Sequence, residues 1–159
     1  MRNVFTNGYC TSSSDPSAHM RMLENVRKAL IEIMQHQNAS AIAVRGTSGM
    51  SVAYGLRTLD TYLHRDVLPF ILVRKDDGHH GGPVETLNFR PMSIGRYIIL
   101  DDFISSGNTV VAMMEKLECM MDPDVTCCGI VLYDKMHNLD WQLRERGAME
   151  FKRNDGSHK

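Results

Sequence analysis

No apolar run in this chain is long enough to cross a membrane. The amino terminus, Met1-Arg2-Asn3-Val4-Phe5-Thr6-Asn7-Gly8, has no apolar segment of signal-peptide length either. A cytoplasmic address without a membrane partner is therefore expected. Charge of one sign is also lacking. A formal net charge of -1 at pH 7 excludes a nucleic-acid binder that works by bulk phosphate neutralisation, but not a local basic cluster that handles one small phosphorylated ligand. Cysteine is scarce, and the four present do not read as a disulfide framework. Cys127 and Cys128 are adjacent within the apolar run Val125 to Leu132, where reduced thiols are expected to be buried as small hydrophobes. The paired spacing of a zinc site is missing. So are internal repeats and long low-complexity linkers. What remains is one domain spanning residues 1–159, 43% hydrophobic and 23% charged, which is ordinary for a folded chain with its own core.

The order of elements is legible from periodicity. Asp15 can cap a helix and Pro16 suits its first position. Behind them Met22, Leu23, Val26, Ala29, Leu30, Ile33 and Met34 recur at helical spacing. Ala39 to Val44 reads as a buried strand that runs into a turn, Arg45-Gly46-Thr47-Ser48-Gly49, with a second helix over Met50 to Leu63. Phe70 to Val73 is a second buried strand, followed by Arg74-Lys75. The stretch Asp76 to Gly95, with its glycines and prolines, reads as a long loop of the kind that often serves as a functional lid. Tyr97 to Leu100 is a third strand and Val110 to Met121 a third helix. Val125 to Tyr133 is a fourth strand, and Ala148 to Lys152 is a candidate edge strand. Continuous apolar strands alternating with helices predict an α/β fold with a parallel sheet and flanking helices.

In such sheets ligands gather at the carboxyl ends of the strands. Three unusual segments fall there: Arg45 to Gly49, Arg74-Lys75, and Asp101 to Thr109. In the last, Ser105, Ser106, Gly107, Asn108 and Thr109 follow a strand and open a helix, whose first N–H groups and dipole attract anions. Asp101 and Asp102 end an apolar strand side by side, where like charges repel. A plain helix-capping turn accounts for Ser106 or Asn108, but not for that acidic pair. Arg74 and Lys75 put two cations at a strand tip, the first a fork and the second a point charge, which suits an anion but is also how a solvated strand end looks.

Tyr97-Ile98-Ile99-Leu100-Asp101-Asp102-Phe103-Ile104-Ser105-Ser106-Gly107-Asn108-Thr109 resembles the phosphoribosyl-pyrophosphate motif of type I phosphoribosyltransferases: an apolar strand, two acidic residues, two apolar residues, then a Ser/Thr-Ser/Thr-Gly-x-Thr loop. The resemblance covers Ala39 to Tyr133. It implies a family-like α/β core with flanking helices, a long flexible loop and a small hood, the hood formed by Met1 to Ser14 and Met136 to Lys159. By the same resemblance Asp101 and Asp102 meet the ribose hydroxyls and Ser105 to Thr109 cradle the 5-phosphate. Arg45, Gly46, Thr47, Ser48 and Gly49 look like the family's pyrophosphate loop, which often holds a non-proline cis peptide. Asp134 and Lys135, after the fourth strand, fall where relatives contact the base.

Asp76-Asp77-Gly78-His79-His80-Gly81-Gly82 has a partial likeness to the flexible loop of orotate phosphoribosyltransferases, but the loop lysine is missing. His79 and His80, adjacent in that loop, make a poor chelating pair, and Glu85 reads as a loop acid or as a surface residue. The implied reaction is displacement of pyrophosphate from phosphoribosyl pyrophosphate by a nucleobase nitrogen, with Mg²⁺ held mainly by the ligand. Arg74, Lys75 and the Arg45–Gly49 segment are expected to stabilise the leaving group. The alternative is a non-catalytic regulator that binds phosphoribosyl compounds on the same fold, which the missing lysine allows. Nucleic acid is not an expected partner. A homodimer is expected, with Tyr54, Leu56, Leu59 and Tyr62 of the second helix supplying apolar surface.

Overall fold

The computed structural model describes residues 16–75, 82, 84–87, 93–101, 107–120, 124–133 and 139–140. Helix α1 spans Pro16–Gln37, and its periodic residues Met22, Leu23, Val26 and Leu30 are buried as one stripe. Asn38 stops it in the left-handed region at φ 51°, while the Ala39 N–H donates to the Met34 carbonyl at 2.9 Å. Asp15, the expected cap, lies outside the described residues.

Strands β1 (Ala41–Val44), β2 (Phe70–Val73), β3 (Val84–Thr86), β4 (Arg96–Asp101), β5 (Thr126–Tyr133) and β6 (Leu139–Asp140) form one six-stranded sheet in the order β3-β2-β1-β4-β5-β6. The inner four are parallel, and β3 and β6 are antiparallel edges. Helix α2 (Gly46–Tyr62) joins β1 to β2, and helix α3 (Asn108–Met120) joins β4 to β5. Alternation along the strands explains the layering. Ile42, Val44, Phe70, Ile98 and Leu100 pack against α1 and α2, whereas Ala41, Ala43, Ile71, Val73, Tyr97 and Ile99 pack against Val110, Met113 and Leu117 of α3. Strands covered on both faces must be apolar at every position, which is why they read as unbroken runs.

Several expectations are corrected. The stretch Asp76 to Gly95 is not one long loop. Within it β3 pairs with β2, Leu72 opposite Glu85 and Val73 opposite Val84, and Leu87 is buried with its N–H on the Phe70 carbonyl at 3.0 Å. A three-residue strand is too short to carry a period, so only its partner reveals it. Leu56 and Leu59 are not outer surface; they belong to the core beneath α2, leaving Tyr54 and Tyr62 exposed. The expected edge strand at Ala148 to Lys152 lies outside the described residues. Among these, no helix is long and apolar enough to cross a membrane.

Between β4 and β5 the register slips at Tyr97/Ile98, so Cys128 and Gly129 both fall opposite Ile98. Ordinary strand alternation sends the two adjacent thiols to opposite faces, Cys127 toward the α3 layer and Cys128 toward α1, both half-buried rather than fully enclosed. Burial pushes the Cys127 thiol up to about 11 and raises Cys128 as well, so both stay protonated at neutral pH.

Two buried polar groups set opposite expectations for stability. Asp60, fully buried on α2, accepts from the Arg27 Nε of α1 at 2.5 Å, and Arg27 also donates to the Asp66 carbonyl at 3.1 Å. Arg27→Met strands that carboxylate, and a loss of roughly 3–5 kcal/mol is expected. The Tyr97 hydroxyl is buried without a hydrogen-bond partner among the described residues, with the Cys127 thiol nearby, and burial raises its pKa. Tyr97→Phe removes an unsatisfied donor and should leave the melting temperature unchanged or higher. Thermal denaturation of both variants checks the pair of signs.

Candidate functional site

Val44 at the end of β1 lies opposite Leu72 of β2 on one side and Leu100 of β4 on the other. Continuing that register brings Arg45 level with Val73 and Asp101, so the three segments singled out in the sequence meet at one end of the sheet. The chain leaves β1 through α2 on one face toward β2, and leaves β4 through α3 on the other face toward β5. Two helix N-termini on opposite faces therefore flank the carboxyl ends of β1 and β4. This is a topological switch point, where open α/β sheets bind ligands.

The Arg45–Gly49 segment differs from its expected form. Instead of a turn followed by a helix from Met50, α2 begins at Gly46. Arg45 is extended at its N-cap and contributes no capping hydrogen bond from its side chain. Among the described residues no peptide is cis, so the expected cis bond is absent; N–H groups are presented by a helix start. Gly46 has φ 75°, and a Cβ there would meet only the Lys75 Cε at 3.8 Å. Gly49 has a different job. A Cβ on it would stand 3.1 Å from the Val44 Cβ and 3.4 Å from the Leu100 carbonyl oxygen. The first turn of α2 thus rests directly on the ends of β1 and β4.

Around this turn the cations are held in distinct ways. Arg45 donates through Nη2 to the Lys75 carbonyl at 3.3 Å, while its Nη1 is buried without a hydrogen-bond partner among the described residues. Lys116, from α3, donates to the Arg74 carbonyl at 3.0 Å and reaches the Lys75 carbonyl at 3.5 Å. Lys75 is exposed with its stem over Gly46. Arg74, expected on the leaving group, instead forms an ion pair with Glu85 of β3 at 2.6 Å. The pair lies on the edge side of β2, away from β1.

On the far side of the crevice Asp101 ends β4, buried at 7% exposure. Gly107 is buried at φ 80°, a value that favours glycine, and its carbonyl accepts the first α3 hydrogen bond, from the Val111 N–H at 3.0 Å. Asn108 and Thr109 open α3 and are exposed. Asp102, Ser105, Ser106, Asp134, Lys135, His79 and His80 lie outside the described residues. Among the described residues no group of three or more His, Cys, Asp or Glu is disposed to hold a metal.

No protein-family model matches the chain, and no curated protein matches it by sequence. Solved structures do match. Orotate phosphoribosyltransferase of Francisella tularensis superposes with a TM-score of 0.55 at 11% identity, covering 76% of this chain and 53% of that one. The fold is that of the type I phosphoribosyltransferases. Orotate phosphoribosyltransferase from Aeropyrum pernix also matches, at TM-score 0.49 and 22% identity over 87% of this chain and 67% of its own. An adenine phosphoribosyltransferase does so at 0.48 and 19%, over 76% and 71%. The chain spans about half the length of the Francisella phosphoribosyltransferase.

Sequence reasoning missed Lys116 and read Glu85 only as a loop acid or a surface residue. Lys116 lies mid-helix, where a lysine ordinarily signals only a solvated face. Glu85 gains its partner from a strand pairing that no local pattern announces. The two glycines give a direct test. Gly46→Ala should lose roughly 1–2 kcal/mol to left-handed strain. Gly46→Asn should lose less, because Asn tolerates that region and space is open around the position. Gly49→Asn should be worse than Gly49→Ala, since there the obstacle is backbone and β-carbon. Denaturant titration ranks the four variants.

Proposed function

We propose that the chain is a phosphoribosyltransferase that transfers the phosphoribosyl group of phosphoribosyl pyrophosphate to a nucleobase and releases pyrophosphate. The observation that carries this reading is the meeting, at the β1/β4 switch point, of a glycine-started helix N-terminus, a buried arginine donor without a hydrogen-bond partner among the described residues, and an acidic strand tip. A ligand with pyrophosphate at one end and ribose hydroxyls at the other matches that polarity.

In this reading the N–H groups of Gly46, Thr47, Ser48 and Gly49, together with Arg45 and Lys75, bind the pyrophosphate. Their charge and dipoles stabilise the negative charge that grows as it leaves. Arg74 joins them when it is released from Glu85. Asp101 and Asp102 accept from the ribose hydroxyls and favour positive charge on the sugar. Ser105, Ser106, Gly107, Asn108 and Thr109 bind the 5-phosphate at the start of α3, and Asp134 and Lys135 face the base. Mg²⁺ fits this donor set as an ion carried on ligand oxygens beside the Asp101 carboxylate, the usual arrangement for magnesium on phosphates. When bound it neutralises pyrophosphate charge. The acceptor base is left open among nucleobases.

A cytoplasmic setting belongs to the same proposal and agrees with the unpaired thiols of Cys119, Cys127 and Cys128. So does a homodimer through the outer face of α2. There Tyr54 and Tyr62 are exposed and, with Arg57, Thr58 and Thr61, line a groove of about 460 Å³. Light scattering at micromolar concentration is expected to give twice the chain mass, and a monomer mass sinks the dimer alone.

The function is tested by pyrophosphate release from phosphoribosyl pyrophosphate and Mg²⁺ with a panel of bases. At least one base should support turnover. The Asp101→Asn, Asp102→Asn double variant should keep its circular dichroism while losing about 10²-fold in rate, as misplaced substrates do. Binding of phosphoribosyl pyrophosphate without release for any base would identify a regulator on this fold. Failure to bind it at all would falsify the reading.

A further inference from the structure

We propose that Glu85 is a built-in competitor for Arg74, so that the guanidinium has two anionic stations: the Glu85 carboxylate and the pyrophosphate of a bound ligand at the start of α2. This inference rests on the phosphoribosyltransferase reading and assigns to that site a residue which sets its affinity. The geometry begins with alternation along β2. Leu72 packs against the α1 and α2 layer and Val73 against α3, so Arg74 returns to the α1 and α2 face. Glu85 lies opposite Leu72 and therefore on the same face, diagonal to Arg74. Helix α2 lies on that face too, on the other side of β2. Neighbouring strands are about 4.8 Å apart, so Arg74 stands one strand from Glu85 and one strand from Gly46. Both are within the span of an arginine side chain.

The backbone at this point is fixed. Lys116 holds the Arg74 carbonyl at 3.0 Å, and Arg45 holds the Lys75 carbonyl at 3.3 Å. A change of partner is then a side-chain swing and needs no strand movement. The ion pair is poorly protected, with side-chain exposures of 32% and 35%; pairs so open to water contribute little and yield to a better anion. Pyrophosphate is a better one, since it carries more charge and accepts both arms of the guanidinium fork. Lys75 already has its stem over Gly46. Arrival of Arg74 there adds a further cation to Arg45 and Lys75 only when an anion has come to claim it, while Glu85 moderates affinity for the released pyrophosphate.

Calorimetry with inorganic pyrophosphate on the full chain at low ionic strength tests this. Glu85→Gln and Arg74→Met both abolish the ion pair, but only the first keeps the cation. Glu85→Gln is expected to tighten binding about two- to fivefold, and Arg74→Met to weaken it. The gain should vanish in the double variant, be smaller in Glu85→Asp, and shrink as salt is added. If Glu85 merely clamps β3 to β2, both single variants shift binding in the same direction or leave it unchanged, and either result overturns the proposal. Wild-type chain that binds neither pyrophosphate nor phosphoribosyl pyrophosphate overturns the functional reading and the competitor with it. Wild-type binding without a gain in Glu85→Gln overturns the competitor alone.

Discussion

In the first turn of helix α2, at Gly49, even a Cβ would crowd the sheet. With the Val44 Cβ at 3.1 Å and the Leu100 carbonyl at 3.4 Å from the position of a Gly49 Cβ, its first turn sits on the sheet rather than beside it. This close approach fixes much else. It brings the N–H groups of the turn down to the level of the strand ends, within reach of the groups that end β2 and β4. It sets the path of α2, so that Val52, Leu56 and Leu59 meet α1 and Asp60 arrives at Arg27. A helix displaced outward by one methyl group would lose contact along that whole face, because close-packed interiors cannot absorb such a shift locally.

Around the end of β2 the protein uses its cations for different tasks. Arg45, from the end of β1, donates to the Lys75 carbonyl, and Lys116, from the opposite face of the sheet, donates to the carbonyls of Arg74 and Lys75. Carbonyls at the carboxyl end of a parallel strand lack a further strand residue to pair with, and an unmatched buried carbonyl is costly. These donors meet that need and concentrate positive charge there in the same act. Glu85 offsets part of it through Arg74. The cluster is thus a structural cap for β2 and a field source for an anion, and neither role requires the other to be given up.

The order of helices and buried strands was legible because layers covered on both faces demand apolar residues at every strand position. Ile42, Val44, Ile98 and Leu100 announce themselves, as does the stripe of α1. The sheet order was not legible, since β1 and β4 become neighbours only through tertiary packing. The short strands β3 and β6 were missed, Val84-Glu85-Thr86 being too brief to show a period and Leu139-Asp140 shorter still. Gly46-Thr47-Ser48-Gly49 reads as a turn because glycine and hydroxyl residues favour turns in isolation. It becomes helix because the close seat on β1 and β4 rewards that geometry. At the candidate site the residue types were legible and their partners were not. Arg74 was visible as a cation at a strand tip, but the direction of its side chain depended on Glu85, which no local pattern connects to it.

A formal net charge of -1 is reconciled with the proposed polyanion site by where the charges lie. Arg45, Arg74, Lys75 and Lys116 gather near the end of β2, whereas Asp101 ends β4 on the other side of β1. Across one strand the field changes sign. A uniform basic patch attracts any phosphate in any orientation and draws nucleic acid as readily as a small ligand. In the proposed reading, the dipolar arrangement draws the pyrophosphate toward β2 and leaves the Asp101 carboxylate to accept from ribose hydroxyls, while the 5-phosphate is taken up at the start of α3. For a phosphoribosyl compound that sets orientation before any base is read. In the proposed reaction the acidic side would lie next to the carbon on which positive charge develops, and the basic side next to the leaving pyrophosphate. Near-neutrality overall is compatible with such a local division of charge, and in the proposed reading it is the division that gives the site its direction.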